Sequence, residues 1–402
     1  MVIMQLNSTF LLASLVLLSI HLRAEEPIVL SEPIFQTGVP NPTQDKPQSK
    51  LWYAHGRYWA WLPVANGSTV LEQTPTGWRE LIDLRIDLVG LPGQADVWSE
   101  SNFARAVLVG KDRLAVVELA FDSARQTYLP GNLRYEFPLP EATDPRDPLE
   151  TATIARDSKG RWWIAFDRNR SVFVAWTTDN DGTTWSHPRE IGSKTDRDDI
   201  SAIFALPDRI GVIWSDQVAD GVFFREHLDN QPVDQWNEPA TVEQGGKTAD
   251  DHFNGVVAKD GTLYVATKNS VDQIGVPQQV LRIRRPDGHW ENHPYATLEQ
   301  GLGPSRPIVQ LVGPSQQLFL MHTYYDRRDA KIRKDFVAGF TTDRQSMKLD
   351  QPSKRILSAK KSVNNVTGTK TPVPDGVPIL VLASDADGGV YTASPFVNSR
   401  AK

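Results

Sequence analysis

The sequence predicts an all-β propeller, most simply of seven blades, closed by strands drawn from the two chain ends. Three observations predict it. A turn-like pair followed by a compact apolar run recurs seven times, the copies are spaced by about 50 residues, and no long amphipathic helical pattern lies between them. The copies are GRYWAWL at Gly56, DRLAVVE at Asp112, GRWWIAF at Gly160 and DRIGVIW at Asp208, then GTLYVAT at Gly261, QQLFLMH at Gln316 and GVPILVL at Gly376. Their apolar runs begin at Tyr58, Leu114, Trp162, Ile210, Leu263, Leu318 and Pro378, so successive spacings are 56, 48, 48, 53, 55 and 60 residues. Each run is short, bounded by turn chemistry and rich in aromatic or β-branched residues, which is strand composition. A four-stranded blade cannot bury both faces alone; stacking blades around an axis does so, and closing the ring removes the exposed end blades.

Closure has to be supplied by the termini. The last run leaves room for one further strand, Gly389 to Pro395, and the stretch Glu26–Phe35 (EPIVLSEPIF) is the expected missing outer strand. Six blades with extra strands is the alternative count.

Composition narrows the class. The chain has 402 residues, with 43 basic and 49 acidic side chains and a formal charge of −6. That balance argues against a nucleic-acid partner, which requires a basic footprint. Cysteine is absent, which excludes disulfides, thiolate metal sites and thiol nucleophiles. Phe10 to Leu22 is an apolar run too short to span a bilayer comfortably, and it is followed by Arg23-Ala24 and the polar Glu25-Glu26-Pro27. It reads as a secretory leader, residues 1–24, cut after Ala24, with a single propeller domain over 25–402. A secreted or periplasmic monomer without a membrane span, cofactor or metal is the expectation.

A second repeated element supports the fold. Thr178-Asp179-Asn180-Asp181-Gly182-Thr183-Thr184-Trp185 sits between two strand-like runs, where Asp and Asn can bond their own backbone and Gly permits a positive φ. Degenerate echoes occur at Thr341-Thr342-Asp343, at Pro286-Asp287-Gly288-His289-Trp290 and at Thr76-Gly77-Trp78. The Thr178–Trp185 segment resembles the Asp-box of sialidases and related BNR-repeat propellers, with Asn180 where that family usually has Asp. With the seven-fold repeat, the resemblance spans essentially the whole chain after the leader. It implies a sialidase-like propeller acting on an extracellular glycan. Sialidases carry an Arg-Ile-Pro motif on an early strand, one of three arginines that grip the substrate carboxylate. Here the nearest analogue is Ser305-Arg306-Pro307-Ile308, in the sixth repeat.

In a propeller the innermost strand of each blade lines the axis, and its entry end faces the mouth where ligands bind. Those strands should precede each apolar run by about 8 to 15 residues. The windows hold a polar set: Glu100, Glu150, Asp198-Asp199, Asp250-Asp251-His252 with Asn254, Arg306 and Asn365. The ends of the second strands add Lys268, His322, Tyr324 and Tyr325. Asp199 and Asp251 are the candidate carboxylates of a glycoside hydrolase, the leading reaction. A polysaccharide lyase would instead use His252 or Tyr324 as base, with Arg306 or Lys268 neutralising a uronate carboxylate. Glycan binding without turnover is the third possibility. Glu100, Glu150, Asp198, Asp250, Asn254, Lys268, Arg306, His322 and Asn365 are the expected substrate contacts. Each acidic residue has a plainer reading, as a cap on strand-end amides.

Overall fold

Seven four-stranded antiparallel sheets form the ring, with one short helix, Ile82–Asp87, between the first two. The computed structural model describes residues 29–44, 47–179, 181–313, 315–329 and 331–394; the leader reading of residues 1–24 lies outside them. In chain order the inner strands are Leu51–Ala54, Gln94–Glu100, Ala152–Arg156, Ser201–Leu206, Phe253–Val257, Leu302–Val312 and Asn364–Thr367. They run parallel about the axis, as the bridges Leu51–Thr369 and Val312–Val373 record, so all their entry ends meet at one rim.

The ring closes as the termini require. Blade seven is built from Asn364–Thr367, Val381–Ser384 and Gly389–Ala393, and Phe35–Gln36 from the N-terminal side adds the fourth strand. Phe35 pairs with Val390 and Gln36 with Gly389. Hydrogen bonds from the Ile34 amide to the Val390 carbonyl (2.7 Å) and from the Thr37 amide to the Gly388 carbonyl (3.0 Å) extend the seam. The count is therefore seven, and the edge that would otherwise lie open on Gly389–Ala393 is covered.

Six of the seven apolar runs are second strands. The exception is DRLAVVE, which is the third strand of blade two, Arg113–Asp122, behind a second strand Phe103–Gly110. Two consecutive apolar strands stand there, and only the later one follows an Asp-type turn, so the repeat signal attaches one strand late.

The core lies between blades. Seven clusters of buried apolar side chains each join two neighbouring sheets; Leu51, Tyr58 and Leu62 of blade one, for example, meet Leu380, Leu382 and Val390 of blade seven. The tryptophans of the runs carry much of this burial. Trp59 and Trp61 sit between blades one and two, Trp162 between two and three, and Trp163 between three and four. Each large apolar side chain so buried contributes about 1.5–3 kcal/mol.

The Asp-box-like turns share one topological place, between the third and fourth strands of their blades. Asp179 accepts the amides of Thr183 (2.9 Å) and Thr184 (2.9 Å) and the Thr183 hydroxyl (2.6 Å), above a buried Trp185. Asp343 does the same for Gln345 (2.8 Å) and Ser346 (3.0 Å). Asn180 lies outside the described residues. Because inner strands run away from the entry rim and successive strands alternate, these turns stand at the opposite rim from the mouth.

Candidate functional site

At the entry rim the ring opens into a funnel of about 880 Å³. Its wall includes Gln94 and Lys111 from blade two, Glu150 from blade three, Asp251 from blade five, Asn364 and Asn365 from blade seven, and a dense group from blade six. That group is Arg306, Tyr325, Arg327, Arg333 and Asp335.

Arg306 lies in a β-bulge between Ser305 and Ile308 on the inner strand. Its backbone is left-handed (φ 51°), an unfavourable region for a side-chain-bearing residue. Its Nε and Nη1 are buried and have no hydrogen-bond partner among the described residues. Burial pulls the guanidinium below its usual range, while Asp251 beside it opposes the shift. The guanidinium lies 5.3 Å from the Tyr325 ring centroid, and Arg327 (5.5 Å) and Arg333 (4.8 Å) approach the same ring. Arg333 is held by Asp335 at 2.5 Å, and the Asp335 amide bonds the Ser362 hydroxyl of the neighbouring blade at 3.1 Å. One phenol thus sits among three arginines at the mouth.

Blade five contributes a closed acid–imidazole network. His252 Nδ1 lies 2.7 Å from Asp250 Oδ1 and also against Asp251. Asp250 in turn receives the Lys268 ammonium and the Ser270 hydroxyl (2.8 Å). The ligating atoms of Asp250, Asp251 and His252 lie within 4.8 Å of one another, but they are knit to each other and to Lys268. Of this trio Asp251 reaches the funnel wall, whereas His252 is buried behind it with Nε2 enclosed.

Across the ring, three blades from Arg306 and two from Asp251, Glu150 heads the inner strand of blade three. Behind it Asp167 is buried, and its Oδ1 accepts the Thr151 hydroxyl at 2.9 Å. Burial, and then the neighbouring Glu150 charge, push the Asp167 carboxyl up to about 8. A buried carboxyl beside a funnel carboxylate can keep its proton near neutral pH.

The expected residues divide accordingly. Glu150, Asp251, Arg306 and Asn365 come together on the funnel wall; Asp250 and Lys268 support it from within blade five. Asp199 is turned inward. It accepts the Gln217 amide (3.0 Å) and the Asp196 amide (2.5 Å), so it ties down loop backbone, and burial raises its carboxyl to about 6. Asp198 is exposed on the same loop and is not part of the funnel wall. Asn254 is buried and accepts the Val309 amide (3.3 Å), joining blades five and six.

Glu100 stands at the far end of its inner strand. It pairs with Arg156 at 2.7 Å, away from the mouth, because the repeat signal in blade two marked the third strand. His322 is fully buried, pushed down to about 3 by burial and hence neutral, with its ring 4.6 Å from that of Tyr324. Tyr324 faces blade five and Phe336, whereas its neighbour Tyr325 faces the funnel. Strand alternation makes a one-residue choice a choice of face. The residues not anticipated are Arg327, Arg333, Asp335, Lys111 and Asp167; the basic run just after the strand end at Asp326 was the available signal for the first two.

No family model matches the chain, and no curated protein matches it. Solved structures similar to it include an α-L-arabinanase of Penicillium chrysogenum complexed with arabinobiose, at 12% identity, covering 65% of this chain and 81% of that one, with a TM-score of 0.46. The polysaccharide lyase Uly1 is similar at 12% identity over 86% of this chain and 89% of that one, TM-score 0.45. A protein from Lactobacillus plantarum is similar at 11% identity over 75% and 82%, TM-score 0.47. Similarities at this level carry nothing about the reaction.

Proposed function

We propose that this propeller is carbohydrate-active and cleaves an acidic glycan at the funnel mouth by β-elimination. The observation that carries the reading is the Arg306 guanidinium, buried at the mouth with Nε and Nη1 unpartnered among the described residues. Nε–H and Nη1–H leave the guanidinium on different edges, and an unsatisfied buried donor gains most from an anionic partner. The Asp-box-like turns and the three arginines fit the resemblance to sialidase-type propellers, as an acid-gripping mouth rather than as a sialidase specificity. With residues 1–24 read as a secretory leader, the proposal is of an activity outside the cytoplasm.

In this reading Arg306 binds the uronate carboxylate and withdraws its charge, which acidifies the C5–H bond. Tyr325, as phenolate, takes the C5 proton. The electron pair forms the C4=C5 double bond, the C4–O4 bond breaks, and O4 leaves with a proton taken from solvent water in the open funnel. Arg327 and Arg333 favour the negative charge that gathers beside the phenol. The carboxylate pair first expected for hydrolysis, Asp199 with Asp251, does not share the wall, since Asp199 is spent on backbone amides. Asp251 with Glu150 does share it, which keeps hydrolysis as the second reading.

The test is a screen of uronate-containing, sulfated and sialylated glycans, following both unsaturated product by ultraviolet absorbance and new reducing ends. Elimination predicts unsaturated product that disappears in Tyr325→Phe and Arg306→Ala. Reducing ends without unsaturation, lost in Asp251→Asn, would select hydrolysis. Absence of both binding and turnover on every acidic glycan would overturn the proposal.

A further inference from the structure

We propose that the cationic loop from Asp326 to Asp335 is a docking surface for further acid groups of a polymeric glycan. The substrate is then a polyanionic chain lying across blade six, not a single terminal acidic sugar. This rests on the reading of the funnel as an acidic-glycan site and names its substrate class more narrowly.

The loop joins the second and third strands of blade six at the entry rim, and its sequence is DRRDAKIRKD. Five basic side chains face three acidic ones here, within a chain whose overall charge is −6, so the local sign opposes the global one. The acids are already committed. Asp326 holds Arg328 (2.9 and 2.6 Å), Asp329 caps the Lys331 amide (3.0 Å) and Asp335 holds Arg333. Lys331 and Lys334 are exposed and have no ion-pair partner among the described residues. Exposed cations clustered on one loop set up a local positive potential.

Position gives that potential its use. Arg327 and Arg333 line the funnel beside the Tyr325 ring, and the exposed Lys331 and Lys334 belong to the same loop. A monosaccharide seated on Arg306 would leave the outer lysines unused. A chain with an acid on successive units would meet them in turn. Each cation engaged by a polyanion releases condensed counterions, so binding acquires a salt dependence that a single buried contact lacks.

The experiment compares wild type with the Lys331→Gln/Lys334→Gln double variant, both substitutions being on exposed side chains outside the funnel wall. Binding is measured by calorimetry to heparin, alginate and polygalacturonate, to their di- and hexasaccharides, and to single-stranded DNA, over a range of salt concentrations. The inference expects a polymer bound more tightly than its disaccharide. It expects the double variant to lose about five- to tenfold on polymer and hexasaccharide and little on disaccharide, with the salt slope reduced by about one to two. Wild type binding disaccharide and polymer alike, with the variant unchanged, would overturn this inference and leave the acidic-glycan reading standing. DNA bound as tightly as any glycan, and weakened equally by the double substitution, would overturn it in favour of nonspecific polyanion capture. Failure of wild type to bind any acidic glycan would overturn both.

Discussion

Replacing Asp167 by Asn should change how stability depends on pH, and the size of the change follows from one buried carboxyl. In the folded protein Asp167 titrates at about 8, raised by burial and by Glu150. In the unfolded chain it titrates near the ordinary Asp value of about 3.9. Between those values the folded state holds a proton that the unfolded state has released. Stability therefore falls as pH rises through that window, by about 1.4 kcal/mol per pH unit, for a total of about 3.5 kcal/mol between pH 5 and 8. Asn keeps a carbonyl to accept the Thr151 hydroxyl and places an N–H where the protonated acid has its O–H. The variant should already exceed wild type by about 1.5 kcal/mol at pH 5, and by progressively more at higher pH. Asp199 and Asp147, also raised by burial, add their own slopes to both proteins and cancel in the difference. Urea unfolding at pH 5, 6, 7 and 8 measures it. Parallel curves, separated by a constant offset within about 1 kcal/mol, would refute the argument that Asp167 holds a proton behind Glu150. Glu150→Gln, which removes the second cause alone, should flatten the wild-type slope only in part.

Other outcomes follow from the same structure. A chain beginning at Gly38 loses the Phe35–Gln36 pairing and its flanking hydrogen bonds, and its unfolding midpoint should fall by the equivalent of about 3 kcal/mol. Asp179→Ala removes the acceptor of three hydrogen bonds and should cost about 1–2 kcal/mol in denaturant unfolding, while the proposed glycan binding at the opposite rim should stay as in wild type. Lys370→Met leaves the buried Asp96 carboxylate without its cation and should cost about 3 kcal/mol or more; adding Asp96→Asn should recover part of it. Arg306→Lys should retain some of the anion affinity that Arg306→Ala abolishes, but without the planar, multi-donor guanidinium it should fall well short of wild type in the same binding assay.

The ring was readable because its physics repeats. Seven turn-plus-strand units at one period require blades, and a short C-terminal remainder requires an N-terminal strand to close them. The one slip, in blade two, moved Glu100 to the wrong end of its strand, because two consecutive apolar strands share one conspicuous turn. The mouth was legible at the inner-strand entries, where Glu150, Asp251, Arg306 and Asn365 meet at one wall. It was not legible where side-chain direction decides. Tyr324 and Tyr325 differ by one residue and by a whole face, and Asp198-Asp199 echoes Asp250-Asp251 in sequence while spending its buried member on loop amides. Arg327 and Arg333 come from a loop, whose path no periodicity fixes.

The axis itself constrains how a ligand uses the mouth. Gln48 of the segment leading into blade one donates to the Ala152 carbonyl of blade three (2.9 Å) and receives the buried Lys50 ammonium (3.1 Å). Lys370, following the inner strand of blade seven, reaches Asp96 of blade two and the Ile154 carbonyl of blade three (2.8 Å). Asp96 also accepts the Ser49 and Ile154 amides, each at 2.8 Å. Hydrogen bonds between blades that are not neighbours must cross the centre of the ring. The funnel therefore ends on a floor of buried, mutually satisfied polar groups, and the cavity of about 560 Å³ at the opposite rim, lined in part by Lys370, is walled off from it. A polymer cannot thread such a ring. It has to enter and leave by one rim, and the cationic side of that rim is blade six. The proposed polyanionic chain, laid across the mouth with one acid on Arg306 and others along the loop to Lys334, would use a closed funnel in a way that an open channel does not require.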